Sequence, residues 1–478
     1  MNELTIGFSA SATKQEQLNE LMEQIMGAYS VSDDEGPLTD AVEVFLKKQP
    51  HLTVRRHGDT LVASTDFGRE RRVILAGHLD TVPVIDNFPP KWLQPGDPLI
   101  REDVAAGHEH ERVIWGRGAT DMKGSDAVML YLAATLTDAK YDLTYVFYDH
   151  EEVAAEKNGL RKVVESHPDW ITGDFAIIGE PTDCGIEGGC NGTMRFDVIT
   201  HGVAAHSARA WMGKNAIHAA AEILNRLNAH ENRAIEVDGL TYQEGLNATL
   251  ISGGKGTNVI PDECRVHVNY RFAPDKSLAE AKALMIGADA GAKLGNGEHQ
   301  ATGGVFEGFG IEMKDESPSA RPGLNSPLAQ SLVSLVKERT GRDPLAKLGW
   351  TDVARFAILG IPAVNLGAGS PLLAHKQDEQ LPETDLLLMA DLLEDVYKNP
   401  PRDEPMGDGF TPHFNKLKFC ALAGVHFLYR RGWEPKKLFA FCPPLANFAQ
   451  RIYGYVDKAH VTPEQVAAME ARIKPFVK

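Results

Sequence analysis

Side chains of the type that binds metal ions follow several separated apolar runs of this chain. They are His78, Asp121, the adjacent pair Glu151 and Glu152, Glu180, His206 and His375. One such residue means little, because polar residues often cap strands, but so many in one chain need a common reason. Histidine nitrogen and carboxylate oxygen are ligands of catalytic zinc sites, which keep one position open for water. The pattern therefore predicts a metal site.

The number of these side chains is enough for two metal ions. Two zinc ions about 3.5–4 Å apart share a bridging carboxylate and a bridging water, and together they lower the pKa of the water and polarise a carbonyl. A pair of this kind needs roughly five protein ligands, one of them bridging. The chain supplies five candidates, which are His78, Asp121, Glu152, Glu180 and His375.

Two neighbours of the candidate ligands fit the same chemistry. Asp80 lies two residues after His78, on the same side of an extended chain, where its carboxylate can orient the imidazole. Glu151 directly precedes Glu152 and points the opposite way if the backbone is extended. Only one of the two glutamates then faces the metals directly, and the other is a candidate general base for the bridging water.

The elements that must position these residues alternate between helix and strand patterns. Residues 15–26 have helical spacing, and residues 32–35 resemble a capping box before a second helix that ends at Lys48. Apolar runs at 73–76, 143–148 and 175–178 precede His78, the glutamate pair and Glu180. Continuous apolar runs are typical of buried parallel strands, whose carboxyl ends gather ligands. The sequence therefore predicts an α/β layer fold.

The pattern changes near residue 191 and again near residue 401. Residues 195–200 and 265–271 alternate polar and apolar side chains around a helix-like segment at 215–227, which predicts an inserted α+β module over residues 191–303. The catalytic domain would then comprise residues 1–190 and 304–400. Residues 401–478 hold 12 Lys+Arg against 7 Asp+Glu and are rich in aromatics, and we expect a small helical extension there.

Composition excludes several classes of function. The chain has 478 residues, more than one hydrophobic core usually covers, and a net charge of -17, which disfavours binding to nucleic acid or anionic membranes. It has no apolar run long enough to span a bilayer and no basic leader, so we expect a cytoplasmic protein. Its 5 cysteines form no C-x-x-C pair, which argues against a disulfide framework and a thiolate zinc site. Small molecules and protein partners remain.

Several motifs carry a family resemblance. They are Gly-His-Leu-Asp-Thr-Val-Pro from residue 77, Gly-Arg-Gly-Ala-Thr-Asp-Met-Lys-Gly from residue 116, the Glu151–Glu152 pair, Gly-Glu-Pro-Thr from residue 179 and the late His375. In this order they resemble the di-zinc aminoacylase/carboxypeptidase family, and most of all its desuccinylase branch. The likeness extends over about residues 30–395. The glycines at 116, 118 and 124 are turn glycines rather than a phosphate loop, because no Gly-Lys-Ser/Thr follows.

The resemblance implies a di-zinc exopeptidase-like catalytic domain interrupted by a dimerising lid domain, with two Zn²⁺ per subunit that Co²⁺ can replace. It assigns His78, Asp121 and Glu180 to one zinc and Asp121, Glu152 and His375 to the other, with Asp121 bridging. Glu151 becomes the general base, and Asp80 the partner of His78. His206 becomes a lid residue that stabilises the oxyanion in the active site of the other subunit of a homodimer, although it could also be only the first residue of a lid helix.

The implied reaction is hydrolysis of N-succinyl-L,L-2,6-diaminopimelate to succinate and L,L-2,6-diaminopimelate in lysine biosynthesis. Matching substrate positions are Asn258, Arg271, Gly349, Trp350 and Thr351. The chain departs from the family at Cys190 and Asn191, where many desuccinylases have two arginines, so Arg195 or Arg209 would bind the succinyl carboxylate, or the acyl group differs. Arg271 alone would be read as a surface ion-pair residue.

Two other classes of function remain open. A sister hydrolase, such as an acetylornithine deacetylase or a dipeptidase, would keep every metal ligand and change only the acyl pocket. A non-catalytic binding protein descended from such an enzyme would be expected to have lost Glu151 or a ligand. The chain retains all of them, which argues against the second class.

Overall fold

The computed structural model describes residues 4–288, 290–293 and 297–398. The helical extension expected at 401–478 lies outside these residues. Within them the strands, numbered β1 to β21 in chain order, are Thr53–His57, Thr60–Ser64, Arg72–His78, Lys91–Leu93, Val113–Trp115, Asp142–Tyr148, Phe175–Ile178, Glu187–Gly188, Gly192–His201, Ala205–His206, Ala234–Val237, Leu240–Gln243, Gly245–Gly253, Val259–Ile260, Glu263–Phe272, Ala290–Lys293, His299–Ala301, Gly310–Ser317, Leu345–Ala346, Ala363–Asn365 and Gln380–Pro382.

The α-helices, numbered α1 to α11 in the same way, are Lys14–Gly27, Gly36–Lys47, Glu102–Ala105, Gly124–Thr135, Gly159–Ser166, Ala216–Ala219, Ala221–Ala229, Leu278–Ile286, Pro327–Thr340, Val353–Ile358 and Glu383–Lys398. Short helical turns lie at Ala119–Lys123, Pro168–Trp170 and Ser207–Met212. Among the described helices, none combines the length and apolar character that crossing a membrane requires.

An eight-stranded sheet has the order β1-β2-β6-β3-β7-β20-β8-β19. Its four central strands, β6, β3, β7 and β20, run parallel to one another. β2 joins β6 antiparallel, and β8 joins β20 antiparallel on the other side. Residues of the central strands are almost entirely buried, as expected for a parallel sheet covered on both faces. The predicted α/β layer fold is confirmed.

Alternate residues of these strands build two cores. Leu75, Tyr145 and Ile177 face one side, where they share a core with α1, α2, α4, α9 and α11. Ile74 and Ile178 face the other side and pack with α5 and α10. Successive side chains of a strand point to opposite faces, so each run serves both layers. The result is a sheet between two helical layers.

The capping box expected at residues 32–35 is wrong. α2 begins at Gly36 after Glu35, whose backbone is helical and whose side chain makes no cap hydrogen bond. The Ser32 hydroxyl instead donates to the Asp80 carboxylate at 2.7 Å. A capping box does form one helix earlier, between Thr13 and Glu16 at the start of α1.

A second sheet of six strands has the order β13-β15-β9-β18-β17-β16. Its described pairings are antiparallel. Its buried face shares a core with α6, α7 and α8, which includes the ring contact of Phe196 with Phe306 and the buried Ile223 of α7. The expected inserted α+β module is therefore present. β18, which pairs with β9, ends at Ser317, so this sheet continues beyond the expected boundary at residue 303.

Candidate metal centre

The candidate ligands lie at one edge of the main sheet. His78 is the last residue of β3, Glu151 and Glu152 follow β6, Glu180 follows β7, and the loop after β20 carries His375. These strands are adjacent and parallel, so their carboxyl ends meet. Asp121 reaches the same edge from the helical turn Ala119–Lys123 that precedes α4.

Asp121 stands at the centre of the cluster. Its Oδ1 lies 3.2 Å from His78 Nε2, and its Oδ2 lies 3.2 Å from His375 Nε2. Glu152 Oε1 lies 3.0 Å from the same His375 nitrogen. A carboxylate whose two oxygens face two different histidines has the arrangement that a bridging ligand between two metal ions needs.

The potential ligand atoms form two overlapping groups among the described residues. Asp121, Glu152 and His375 place theirs within 4.8 Å of one another, and so do His78, Glu151 and Glu152. Glu180 belongs to neither group, although its charge interacts with those of Asp121, His78 and Glu152. The structure thus brings four of the five expected ligands into close contact, with Glu151 beside them and Glu180 adjacent.

Asp80 connects His78 to the glutamate pair. The imidazole Nδ1 lies 2.9 Å from the backbone oxygen of Asp80 and 3.6 Å from its carboxylate. The carboxylate accepts hydrogen bonds from the backbone N–H groups of Glu151 at 3.0 Å and Glu152 at 3.1 Å. The imidazole thus has a direct contact with the Asp80 carbonyl, while the Asp80 carboxylate lies at ion-pair distance from it and holds the loop of the two glutamates. Nδ1–H donation leaves the Nε2 lone pair for a metal.

The cluster concentrates buried negative charge. Burial and the charge of Asp121 raise the pKa of Glu180 to about 7. Burial and the charge of Glu152 raise the pKa of Glu151 well above its usual range. Hydrogen bonds to Asp121 and Glu152 raise the pKa of His375 to about 10. Burial and the crowding of several carboxylates thus act together on the glutamates, and divalent cations would supply compensating positive charge. The donor set therefore fits a pair of such ions.

A buried ion pair connects two of the ligand loops. Arg117 Nη1 lies 2.9 Å from Glu379 Oε2, and the two side chains are 2% and 0% exposed. Glu379 also accepts hydrogen bonds from the backbone N–H of Thr120 at 2.9 Å and of Asp121 at 3.1 Å. Arg117 donates to the backbone oxygen of His375 at 3.4 Å. The pair thereby fixes the Asp121 turn against the His375 loop.

Some of the expected substrate contacts are engaged inside the protein. The Trp350 indole N–H donates to Pro318 O at 3.1 Å, and the Thr351 hydroxyl donates to Asn365 at 3.0 Å. Arg195 forms an ion pair with Asp315 at 2.6 Å. Gly349 is exposed in the turn before them.

Arg271 differs from Arg195, because no described residue forms an ion pair or hydrogen bond with its guanidinium. It lies on β15, and burial together with the neighbouring charge of Arg195 lowers its pKa. Arg271 is therefore not the surface ion-pair residue that its position on an alternating strand would suggest. A cation beside another cation, with no acid of its own, is suited to an anionic ligand.

His206, at the end of β10, and Asn258, just before β14, lie together at a separate two-stranded sheet of the inserted module. β10 pairs with β14, and Ser207 N donates to Asn258 O at 2.9 Å. Both side chains are exposed. They are thus placed side by side on a surface available to another molecule.

Three functional candidates were not identified from the sequence. Arg117 was considered only as part of a glycine-rich turn motif and Glu379 was not singled out, because the burial of both follows only from the packing of distant loops. Lys347, in the turn after β19, is a third. The position of Glu379 only four residues after His375 was the one available signal.

The fold and the cluster together define a metal-dependent hydrolase. A sequence model of peptidase family M20/M25/M40 matches residues 74–399, and the chain belongs to this family. A relative from Mycobacterium tuberculosis, described as a putative succinyl-diaminopimelate desuccinylase, is 43% identical over 377 residues, which cover 78% of this chain and 96% of the relative. The succinyl-diaminopimelate desuccinylase of Corynebacterium glutamicum is 38% identical over 382 residues, which cover 78% of this chain and 94% of that relative. The expected family resemblance is confirmed.

The fold is also found among solved structures. A tripeptidase from Staphylococcus aureus superposes with a TM-score of 0.60 at 18% sequence identity, covering 81% of this chain and 99% of the tripeptidase.

Proposed function

We propose that this protein hydrolyses N-succinyl-L,L-2,6-diaminopimelate to succinate and L,L-2,6-diaminopimelate, a step of lysine biosynthesis that belongs to the cytoplasm. The placement of the Asp121 carboxylate between His78 and His375 carries the hydrolase part of this proposal. The similarity to relatives named as desuccinylases, over nearly their whole length, supports the substrate.

Two divalent cations would be held by the ligand set expected from the sequence. His78, Asp121 and Glu180 would bind one ion and Asp121, Glu152 and His375 the other, with zinc as the proposed metal and cobalt as a substitute. The two oxygens of Asp121 already face the two histidines, which supports the bridging role. When bound, such a pair supplies Lewis acidity that polarises the scissile carbonyl and lowers the pKa of a water.

Glu151 is the proposed general base. Its carboxylate lies in the group with His78 and Glu152, and its backbone N–H is held by Asp80. From this position Glu151 takes the proton of the attacking water. In the metal-free protein burial and the Glu152 charge raise the pKa of Glu151, and bound cations would oppose that shift, so the group can accept the proton and then return it to the leaving amine.

Substrate carboxylates require cationic partners, and Arg271 is the best placed of the expected residues. Arg195 shares its charge with Asp315, whereas Arg271 has no such partner in the described part of the chain. Gly349, Trp350 and Thr351 then shape the pocket mainly through their backbone, since two of their side chains bond internally.

We further propose a homodimer formed through the lid domain. Leu250 and Ile251 on the edge strand β13 are 70% and 55% exposed, and Trp211 is 81% exposed. An edge strand with apolar side chains is a surface that proteins usually cover. In such a dimer, His206 and Asn258 would be available to the active site of the other subunit, where His206 would stabilise the oxyanion.

The test compares substrates on the metal-loaded protein. We expect kcat/KM for N-succinyl-L,L-2,6-diaminopimelate to exceed that for N-acetylornithine and for dipeptides by at least about 100-fold, because a buried polar partner rejects analogues that lack its ligand. A preference for acetylornithine or a dipeptide would refute the substrate assignment.

Glu151→Gln tests the base assignment in the same assay. We expect kcat to fall about 10²- to 10⁴-fold, because the variant keeps the shape of the side chain and loses proton transfer. Metal content, measured by atomic emission, should stay near two ions per subunit. Loss of metal in parallel with activity would contradict the base assignment.

A further inference from the structure

A mostly buried lysine lies at the end of the main sheet that carries β8 and β19. Lys347 follows β19, its backbone N–H donates to Gly188 O at 3.2 Å, and its Nζ lies 2.8 Å from Glu187 Oε2. Its side chain is only 12% exposed. Glu187 is the only ion-pair partner of Lys347 among the described residues.

The topology places this pair beside the segment that carries Glu180. β8, which contains Glu187, pairs with β20, and β20 pairs with β7, after which Glu180 follows. Glu187 lies opposite Asn365 of β20, and Asn365 lies opposite Ile178 of β7, so the residue that Lys347 contacts is level with the strand ends from which Glu180 follows. Although burial lowers the pKa of Lys347, the charges of Glu180 and Glu187 raise it overall. The ammonium is therefore charged, and the charge of Glu180 acts on it.

Three other cations of this part of the chain are committed to structural contacts, whereas Arg271 on β15 is not. Arg117 pairs with Glu379, Arg355 pairs with Asp352, and Lys123 donates to the backbone oxygen of Ala28. An ammonium has three donors, and Glu187 faces that of Lys347 with one carboxylate oxygen as an ion-pair partner. Lys347 therefore keeps donors for another anion.

The side chains of Cys190 and Asn191 carry no charge that would compete with Lys347 for an anion. Burial raises the pKa of the Cys190 thiol to about 12, with the Lys347 charge acting in the opposite direction, so Cys190 is neutral and within range of Lys347. The Asn191 amide nitrogen donates to Gln243 O at 2.8 Å, and the side chain carries no charge. At the positions where an arginine pair was expected from the family, the chain thus has neutral side chains with a lysine beside them.

We propose that Lys347 binds a carboxylate of the substrate at the edge of the metal centre. This inference rests on the proposed function, since N-succinyl-L,L-2,6-diaminopimelate has three carboxylates: one on the acyl group and one on each amino-acid end. Without an anion between them, the ammonium would repel cations held by Glu180 and Asp121. A bound carboxylate removes this repulsion and completes the ammonium's hydrogen bonds.

The test combines Lys347→Met with substrates that each lack one carboxylate. The full substrate is compared with N-butanoyl-L,L-2,6-diaminopimelate, which lacks the acyl carboxylate, with Nε-succinyl-L-lysine, which lacks the carboxylate next to the scissile amide, and with Nα-succinyl-L-lysine, which lacks the distal one. We expect Lys347→Met to lower kcat/KM for the full substrate about 10- to 100-fold, mainly through KM, because one charge-assisted hydrogen bond is lost. For the analogue without the carboxylate that Lys347 binds, variant and wild type should be equal.

Lys337→Met is the matched control, because Lys337 is 58% exposed and pairs with Asp343 on the surface. Lys347→Arg should restore part of the lost affinity. If Lys347→Met does not fold, Lys347→Met combined with Glu187→Gln removes both charges and provides the same comparison.

An equal fall for all three analogues and the full substrate would overturn the proposal, and so would a loss of bound metal that accounts for the fall. Failure of the proposed function is a separate result, in which the metal-loaded wild type hydrolyses no succinylated compound. In that case the same variants are compared on N-acetylornithine and N-acetylputrescine, which differ by one carboxylate. An equal effect of Lys347→Met on both would then refute carboxylate binding.

Discussion

Replacing Arg117 by methionine tests whether the buried pair with Glu379 supports the metal centre. The change keeps the apolar stem but leaves the Glu379 carboxylate buried without its cation. It also removes hydrogen bonds to the backbone oxygens of Pro83, His375 and Lys376. We therefore expect both a less stable protein and weaker metal binding.

The magnitude follows from the burial of the pair. Arg117 and Glu379 are 2% and 0% exposed, so solvent screens their interaction little. Removing one member of such a pair costs about 3–5 kcal/mol of the free energy of unfolding. Loss of a partner that orients metal ligands weakens metal affinity about 10- to 100-fold. A double variant, Arg117→Met with Glu379→Gln, should lose less stability than Arg117→Met alone, because no buried charge is left unpaired.

Urea unfolding of the metal-free protein measures the first effect, and zinc titration against a competing chelator measures the second. Arg161→Met is the control, since Arg161 forms an i,i+4 pair with Glu165 in which the side chains are 42% and 60% exposed. That pair is worth only about 0.3–0.5 kcal/mol. A loss for Arg117→Met as small as that of the control, with unchanged zinc affinity, would refute the reasoning.

Three further outcomes are expected. In the metal-free protein, Glu180 has a pKa of about 7 against an ordinary value of 4.5, so the folded state holds its proton while the unfolded chain releases it, and stability is lost as pH rises through that window. His375 has a pKa of about 10 against an ordinary value of 6.5 and acts in the same direction. The Tm of the metal-free protein should therefore fall from pH 5 to pH 9, and saturating zinc should raise the Tm at pH 7.5. A metal-free Tm that rises over this range would contradict the charge assignment. Arg271→Met should raise KM for the succinylated substrate about 10-fold with full metal content, whereas Arg195→Met should change it less; the reverse order in steady-state kinetics would exclude Arg271. Leu250→Asp should give monomers in light scattering and lower activity, and an active monomer would exclude the shared site.

The strands that carry the candidate ligands could be predicted from sequence because the patterns that indicate them are local. The runs before His78, Glu152 and Glu180 are short, apolar and followed by polar residues, and parallel order brings their ends to one edge. Motif spacing then identified the candidate ligands. In the structure Asp121 contacts both His78 and His375, as a bridging residue would.

The supporting contacts could not be predicted, because they join segments far apart in the chain. Nothing near Asp80 indicates that its carboxylate binds the backbone of Glu151 and Glu152, about 70 residues later. The same holds for Glu379 and Arg117, whose side chains meet only after β5 and β21 pair. Short-range patterns predict where a strand ends, but not which distant backbone group a buried charge will bind.

The C-terminal boundary of the inserted module could not be predicted for a similar reason. β18 is separated from its partner β9 by more than a hundred residues, so its membership of the lid sheet depends on that pairing rather than on local composition. The strand alternates partly buried and exposed residues, a pattern that would suit an edge of either sheet.

The order in which the candidate ligands occur along the chain bears on biosynthesis. His78, Asp121, Glu152 and Glu180 all precede the lid, whereas His375 follows it. While the ribosome is still producing the lid, the emerging polypeptide already exposes four acidic or imidazole side chains that lack their last companion. Capture of metal by the whole candidate set must therefore wait until the segment after the lid has been translated, and a product terminated within the lid would retain an incomplete, weakly chelating set.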